Sequence, residues 1–208
     1  MAGVPRRSRP RAAVRVEFDA AYVRRYYLDP QTRVVSAREM RDRARVIAAT
    51  LAHAGIAVRS ILDAGCGVGL LKAPFAEFLP RARYAGLEAS EYLCRRHGWI
   101  HGSLTDYVAR TPSDLLICYD VLQYLSDADA ERAIARFARL TRAALYVSAM
   151  TRADWRLRCD RRLTDRAVHL RSGRWYRTRL ERRFRYLGLG VWLHKDVQPM
   201  LWEMEGRY

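Results

Sequence analysis

Lysine is nearly missing from this sequence. Lys72 and Lys195 stand against 36 arginines, a bias that marks GC-rich codon usage as one source of the formal charge of +16. There is no run of about 18 apolar residues, because Arg, Asp or Gly breaks every apolar stretch within a few positions; this excludes a membrane-spanning helix. The arginine pair Arg6–Arg7 is not followed by the apolar core of an export signal, so the expected location is the cytoplasm. Cysteine is sparse and scattered: Cys66, Cys94, Cys118 and Cys159 form no C-x-x-C pair and no Cys/His cluster, which predicts reduced thiols and no bound metal. With 50% hydrophobic and 11% aromatic residues, the 208-residue chain has the material for one full core and is not a disordered protein.

The charge is unevenly placed. Residues 1–15 hold five arginines and no acid, and 152–185 carry a net +9, with thirteen arginines against Asp154, Asp160, Asp165 and Glu181. Clustered arginine is either ordinary solvated surface or the footprint of a phosphate-bearing partner. The division expected is a flexible basic tail over 1–15 and a single domain over 16–208.

The hydrophobic period switches along the chain. Residues 17–54 read as helical, with Tyr22/Tyr26 and Val23/Tyr27 at i,i+4 spacing, a break at Asp29-Pro30, and a second helix from Ser36 to His53 closed by Gly55. Short apolar strands and amphipathic helices then alternate: strands at Val58–Leu62, Arg83–Leu87, Trp99–His101, Asp114–Tyr119 and Ala144–Ala149, helices at Leu70–Leu79, Ser90–Arg96 and Asp129–Leu140. Five β–α steps predict an α/β fold, a doubly wound parallel sheet with helices on both faces. Beyond an irregular Arg-rich stretch at 151–172, a helix is expected over Arg174–Tyr186, and Leu189–His194 with Met200–Glu205 are expected to pair as an antiparallel hairpin.

The most informative segment is Ile61-Leu62-Asp63-Ala64-Gly65-Cys66-Gly67-Val68-Gly69, a strand running into a glycine turn and then a helix. Gly65 and Gly67 allow positive φ and close approach of backbone to a ligand at a helix N-terminus. The third glycine is at 69, with Leu70 where a dinucleotide fingerprint needs glycine, and Lys72 is not followed by a hydroxyl as a P-loop requires. The D-x-G-x-G-x-G pattern resembles motif I of the class I S-adenosylmethionine-dependent methyltransferases. Further along, Tyr84-Ala85-Gly86-Leu87-Glu88 is similar to that family's second strand with its ribose-binding acid, and Asp114 to Leu125 is similar to its fourth strand and loop, with Tyr119 and Tyr124 as departures.

The resemblance covers roughly residues 20–208 and implies a Rossmann-like, seven-stranded, mostly parallel sheet with an N-terminal helical lid at 16–55 and a substrate insertion at 151–172. It also implies S-adenosylmethionine as cofactor, released as S-adenosylhomocysteine, and cofactor contacts from Asp63, Gly65, Cys66, Gly67, Gly69, Glu88, Ala89, Ser103, Leu104, Tyr119 and Tyr124. One carboxylate at Glu88 can accept hydrogen bonds from two vicinal hydroxyls. Tyr22, Tyr26 and Tyr27 lie where many relatives fold a lid over the cofactor, the alternative being plain core packing.

Methyl transfer from a sulfonium is an in-line displacement in which positioning supplies much of the rate, so a general base is optional. Asp120 and Tyr124 are candidates to orient an acceptor. In the insertion, Trp155 offers an aromatic platform, His169 a base that titrates near neutral pH, and Arg171 a bidentate anion clamp. His53, His97 and His194 read as structural. These residues predict an enzyme methylating a small, anionic metabolite or biosynthetic intermediate. The alternatives are a nucleic-acid (RNA) methyltransferase using the basic segments and a non-catalytic S-adenosylmethionine-binding protein.

Overall fold

At the amino end of the computed structural model, which describes residues 18–206, the expected helical segment splits into two unlike pieces. Helix α1, Ala20–Val23, is capped by the Asp19 side chain on Tyr22 N and passes directly into a π-turn over Arg24–Leu28. There Asp29 N donates to Arg24 O at 2.9 Å, five residues back, and Asp29 takes the extended conformation demanded before Pro30. Helix α2, Ala37–His53, starts from a capping box in which Ser36 Oγ accepts from Glu39 N and the Glu39 carboxylate accepts from Ser36 N. Its buried face is Met40, Ala44, Ile47, Ala48 and Leu51, and Gly55 at φ +73° turns the chain away, as predicted. The basic tail expected over 1–15 lies outside the described residues.

Strands β1 (Ser60–Ala64), β2 (Arg83–Glu88), β3 (Ile100–His101), β4 (Ser113–Tyr119) and β5 (Thr141–Ser148) alternate with helices α3 (Lys72–Phe78), α4 (Glu91–His97) and α5 (Asp127–Leu140). The seven-stranded sheet has the order β3-β2-β1-β4-β5-β7-β6. The first five strands are parallel, while β7 (Val191–His194) runs antiparallel to both β5 and β6 (Phe184–Gly188). One core layer joins α5 and the 176–184 segment to the sheet through Phe137, Leu140, Leu180 and Phe184; the other joins α2 and α3 to its opposite face through Ile47, Leu51, Phe75 and Ile117. The strand order reverses between β1 and β4, so their carboxyl ends open a crevice where parallel sheets bind ligands.

Three expectations change after β5. The stretch 151–172 is not wholly irregular, because Thr151 and Asp154 form a capping box that starts a helix α6, Arg152–Leu157. The helix expected through Tyr186 is α7, Gly173–Leu180, and Phe184 reaches the core from β6 instead; apolar residues at 175, 180 and 184 do not distinguish the two conformations. The hairpin is β6–β7, turned by Leu189 and Gly190 at positive φ. Met200–Glu205 is a turn, since β7 already has a neighbour on each edge. It is tied back instead by Met200 N to Ala54 O and by His53 to Glu205.

Candidate active site

Strand β1 delivers Asp63, only 3% exposed, to the sheet end, and the chain then turns through Gly65 (φ +82°) and Gly67 (φ +54°). A Cβ at 65 would overlap the Val121 methyl Cγ2, so this position requires glycine on two counts. Leu87 O accepts from Gly65 N and Cys66 N at 2.7 and 3.3 Å, binding the turn to β2. One residue on, the Glu88 carboxylate accepts from Gly67 N and from Ser90 N, each at 2.9 Å. Glu88 is 7% exposed yet lines the cavity, with one protein hydrogen bond on each oxygen and acceptor capacity left on both.

Asp63 accepts a short hydrogen bond from the Tyr84 hydroxyl, but burial dominates and pushes its carboxyl up to about 7. Asp120, at the end of β4, takes a left-handed conformation at φ +54° although it is not glycine, held by Asp120 N to Ser148 O at 2.9 Å. Its carboxyl is likewise raised by desolvation, against hydrogen bonding from Tyr119 and attraction from Arg43. Two carboxyl groups thus flank the crevice in an environment that favours a cationic guest, which would hold them ionised.

A single cavity of about 920 Å³ extends from this crevice. Its lining includes Asp63, Gly65, Cys66, Gly67, Glu88, Ala89, Ser103 and Leu104. The same lining includes Tyr22, Tyr26 and Tyr27 from the N-terminal helical segment, Tyr119, Asp120 and Tyr124 from the end of β4 and its loop, and Asp154, Arg158, Cys159, Thr164 and Asp165 from the segment after β5; this side of the cavity is its second chamber. Tyr22 Oη is 3.0 Å from Tyr124 Oη and donates to Asp165 Oδ2 at 3.3 Å, so one hydroxyl of α1 contacts both the β4 loop and the insertion. Burial, with neighbouring acids and tyrosines, pushes the Tyr22, Tyr27 and Tyr124 hydroxyls well above their ordinary range and keeps them neutral donors.

Four expected site residues stand elsewhere. Arg171 is 4% exposed and fully engaged: Nε meets Asp127 at 2.8 Å, Nη1 donates to Leu122 O and Tyr176 Oη, and Nη2 to Leu125 O. It brackets the β4 loop to the insertion rather than facing the cavity. His169 is exposed and off the lining, its backbone N–H bound to Gln123 O at 2.7 Å. Trp155 is also off the lining, with the Arg161 guanidinium 5.9 Å from its ring centre. Gly69 is a packing glycine, because a Cβ there would come within 2.5 Å of the Trp99 ring.

In the sequence Trp99 reads only as the start of a short strand. Its Nε1 donates to Gly67 O at 2.9 Å, and its ring fills the space over Gly69 and Gly86, supporting the glycine turn from behind. The signal was the glycine at 86 in mid-strand, which marks a close neighbour. Arg43 and Asp165 were missed too. Arg43 projects from α2, donates to Tyr146 Oη at 3.0 Å and lies 4.4 Å over the Tyr119 ring.

Residues 62–145, from the glycine-turn strand through β5, match the family described as Methyltransferase domain. This stretch of the chain is similar to a methyltransferase domain. No curated protein matches the sequence. Among solved structures, it is similar to the magnesium protoporphyrin IX methyltransferase ChlM of Synechocystis with bound SAM, at 18% identity, TM-score 0.62, over 88% of this chain and 95% of that one. DesVI of Streptomyces venezuelae gives 17% identity and TM-score 0.62 over 83% and 97%, respectively. The N-methyltransferase NodS of Bradyrhizobium japonicum, solved with S-adenosylhomocysteine, gives 16% and 0.59 over 86% and 100%. At such identities the likeness is one of fold. No helix among the described residues is long and apolar enough to cross a membrane, and no group of three or more His, Cys, Asp or Glu residues there is arranged to hold a metal.

Proposed function

We propose that this methyltransferase domain, taken as one unit with its N-terminal lid and its 151–172 insertion, transfers a methyl group from S-adenosylmethionine to a small-molecule acceptor. The observation that carries the reading is the continuity of the cavity, which joins the glycine turn and Glu88 to a second chamber under the α1 aromatics. The donor set suits the cofactor: Gly65 and Gly67 line the cavity with no side chain to hold a ligand off the backbone, Glu88 has free acceptor capacity for hydroxyls, and Leu87, Leu93 and Leu104 give an apolar wall. When bound, S-adenosylmethionine supplies an electrophilic methyl on a positively charged sulfur.

The chain's own residues then position and enclose. Asp63 and Asp120 offer negative charge to a cation, Tyr27 lies against Gly67, and the Phe18, Tyr22 and Tyr26 rings exclude water from the junction of the two chambers. Asp120 and Tyr124, on the second chamber's wall, orient the acceptor for in-line approach. His169 and Arg171 have no part in this step, and the expected anionic acceptor loses its clamp with Arg171. A small acceptor fits a chamber roofed by α1 better than a polymer does.

Calorimetric titration with S-adenosylmethionine, S-adenosylhomocysteine and, as control, NAD is the test. Binding of the first two and not the third is expected; no binding of either sulfur compound overturns the proposal.

A further inference from the structure

The second chamber has a distinctive chemistry. Phe18 meets Tyr22 and Tyr124 edge-on, with ring centres 4.9 and 5.4 Å apart, and Tyr26 lies 4.5 Å from Tyr22. Beside this aromatic wall, Asp165 accepts, among the described residues, one hydrogen bond on each oxygen, from Ala167 N at 2.9 Å and from Tyr22 Oη at 3.3 Å. The other charged groups on the second-chamber lining are Glu39, Arg43, Asp120, Asp154 and Arg158. Glu39 is committed to the α2 cap and Asp154 to the α6 cap, while Arg43 is spent on Tyr146 and the Tyr119 face. Arg158 is exposed. The chamber therefore presents uncommitted carboxylate capacity and ring faces, with one solvated cation.

We infer that the acceptor of this methyltransferase is an amine, carried on a small apolar or aromatic body and recognised as its ammonium form by the Asp165 carboxylate and the surrounding tyrosine rings. The inference rests on the cofactor reading above and specifies its acceptor. A ring face attracts a cation and a carboxylate forms a charge-assisted hydrogen bond with it, whereas an acceptor carboxylate would meet Asp120 and Asp165 as like charges. A neutral hydroxyl would gain neither attraction. The step balances as follows: the ammonium gives one proton to solvent through a chamber carboxylate, and the freed nitrogen lone pair forms the new N–C bond. The C–S bond breaks with its electron pair passing to sulfur. The products are a methylammonium and a neutral thioether.

Three probes of similar size on one aromatic body, benzylamine, benzoate and benzyl alcohol, test this by calorimetry on the full chain, both alone and saturated with S-adenosylhomocysteine. Benzylamine is expected to bind about tenfold or more tightly than either of the others, the effect of one hydrogen bond to a charged group. Asp165→Asn should erase that preference while S-adenosylhomocysteine affinity persists. Arg158→Ala should leave amine affinity unchanged or raise it. Equal or tighter binding of benzoate or benzyl alcohol, no binding of any probe, a preference that survives Asp165→Asn, or affinity lost with Arg158 overturns the inference. Failure of S-adenosylhomocysteine to bind defeats the cofactor reading instead, and the probes on the protein alone still report on the chamber.

Discussion

Glu88 joins two tasks in one side chain. Its oxygens hold the Gly67 and Ser90 N–H groups and line the cavity. Glu88→Ala should weaken S-adenosylhomocysteine binding by about 1.5–3 kcal/mol, the scale of hydrogen bonds to a charged group, read by titration calorimetry. Gly65 and Gly67 share positive φ, but only Gly65 lacks room: the nearest atom to a Cβ at 67 is Tyr27 Oη at 3.4 Å. Gly65→Ala should therefore abolish cofactor binding and lower stability, whereas Gly67→Ala should fold with weakened affinity. Equal effects in a side-by-side titration would show that φ alone decides.

Among the elements, the segment from α6 to α7 does more scaffolding than its sequence suggests. Arg171 ties the carbonyls of Leu122 and Leu125 to Asp127 and to Tyr176, which puts the loop bearing Tyr124 in place. Arg171→Ala removes the donor to the Leu125 carbonyl, the Asp127 carboxylate and the Tyr176 hydroxyl, leaves the Leu122 carbonyl with Leu125 N alone at 3.3 Å, and should destabilise the fold by about 3 kcal/mol or more, measured by urea denaturation. Arg171→Lys should not rescue it, since one ammonium cannot reproduce the planar fork. Charge and position made Arg171 look like a ligand clamp. A buried arginine and a substrate-binding arginine are the same letter, and only the four acceptors around it separate them. The insertion brings Asp154, Arg158, Cys159, Thr164 and Asp165 to the cavity wall, and Asp165 is in sequence one acid in a run of arginines.

At the scale of the whole molecule, the buried acids couple stability to pH. The carboxyl of Asp63 titrates at about 7 in the folded protein against 3.8 when unperturbed, so between those values the folded state holds more protons than the unfolded one. Stability contributed by this group is present at low pH and is lost as pH rises from about 4 to about 7. Asp114, lowered by Arg59 N and Arg142 against the opposing effect of burial, acts in the other sense near its ordinary range. Asp63→Asn should flatten the decline over pH 4–7 relative to the unmodified protein; parallel profiles in chemical denaturation would refute this role. A bound cation beside Asp63 should also reverse the decline by holding the carboxylate ionised.

The alternation of strands and helices, the glycine turn after β1 and the helix start at Ser36 were legible in the sequence, because each depends on neighbours a few residues away. Hydrophobic period, turn chemistry and capping are local. What the linear order could not supply was anything set by partners far along the chain. Trp99 behind Gly67 is 32 residues from it, Arg43 over Tyr119 is on another element, and Tyr22 meets Asp165 across 143 positions. The same holds for the hairpin: Phe184–Gly188 took the edge of β7 that Met200–Glu205 was expected to occupy, and Met200 pairs with Ala54 instead. The locally encoded part of the cavity is the glycine turn with Glu88; the part under α1 was decided by the tertiary fold, which alone brings the α1 tyrosines, the β4 loop and the insertion to one place.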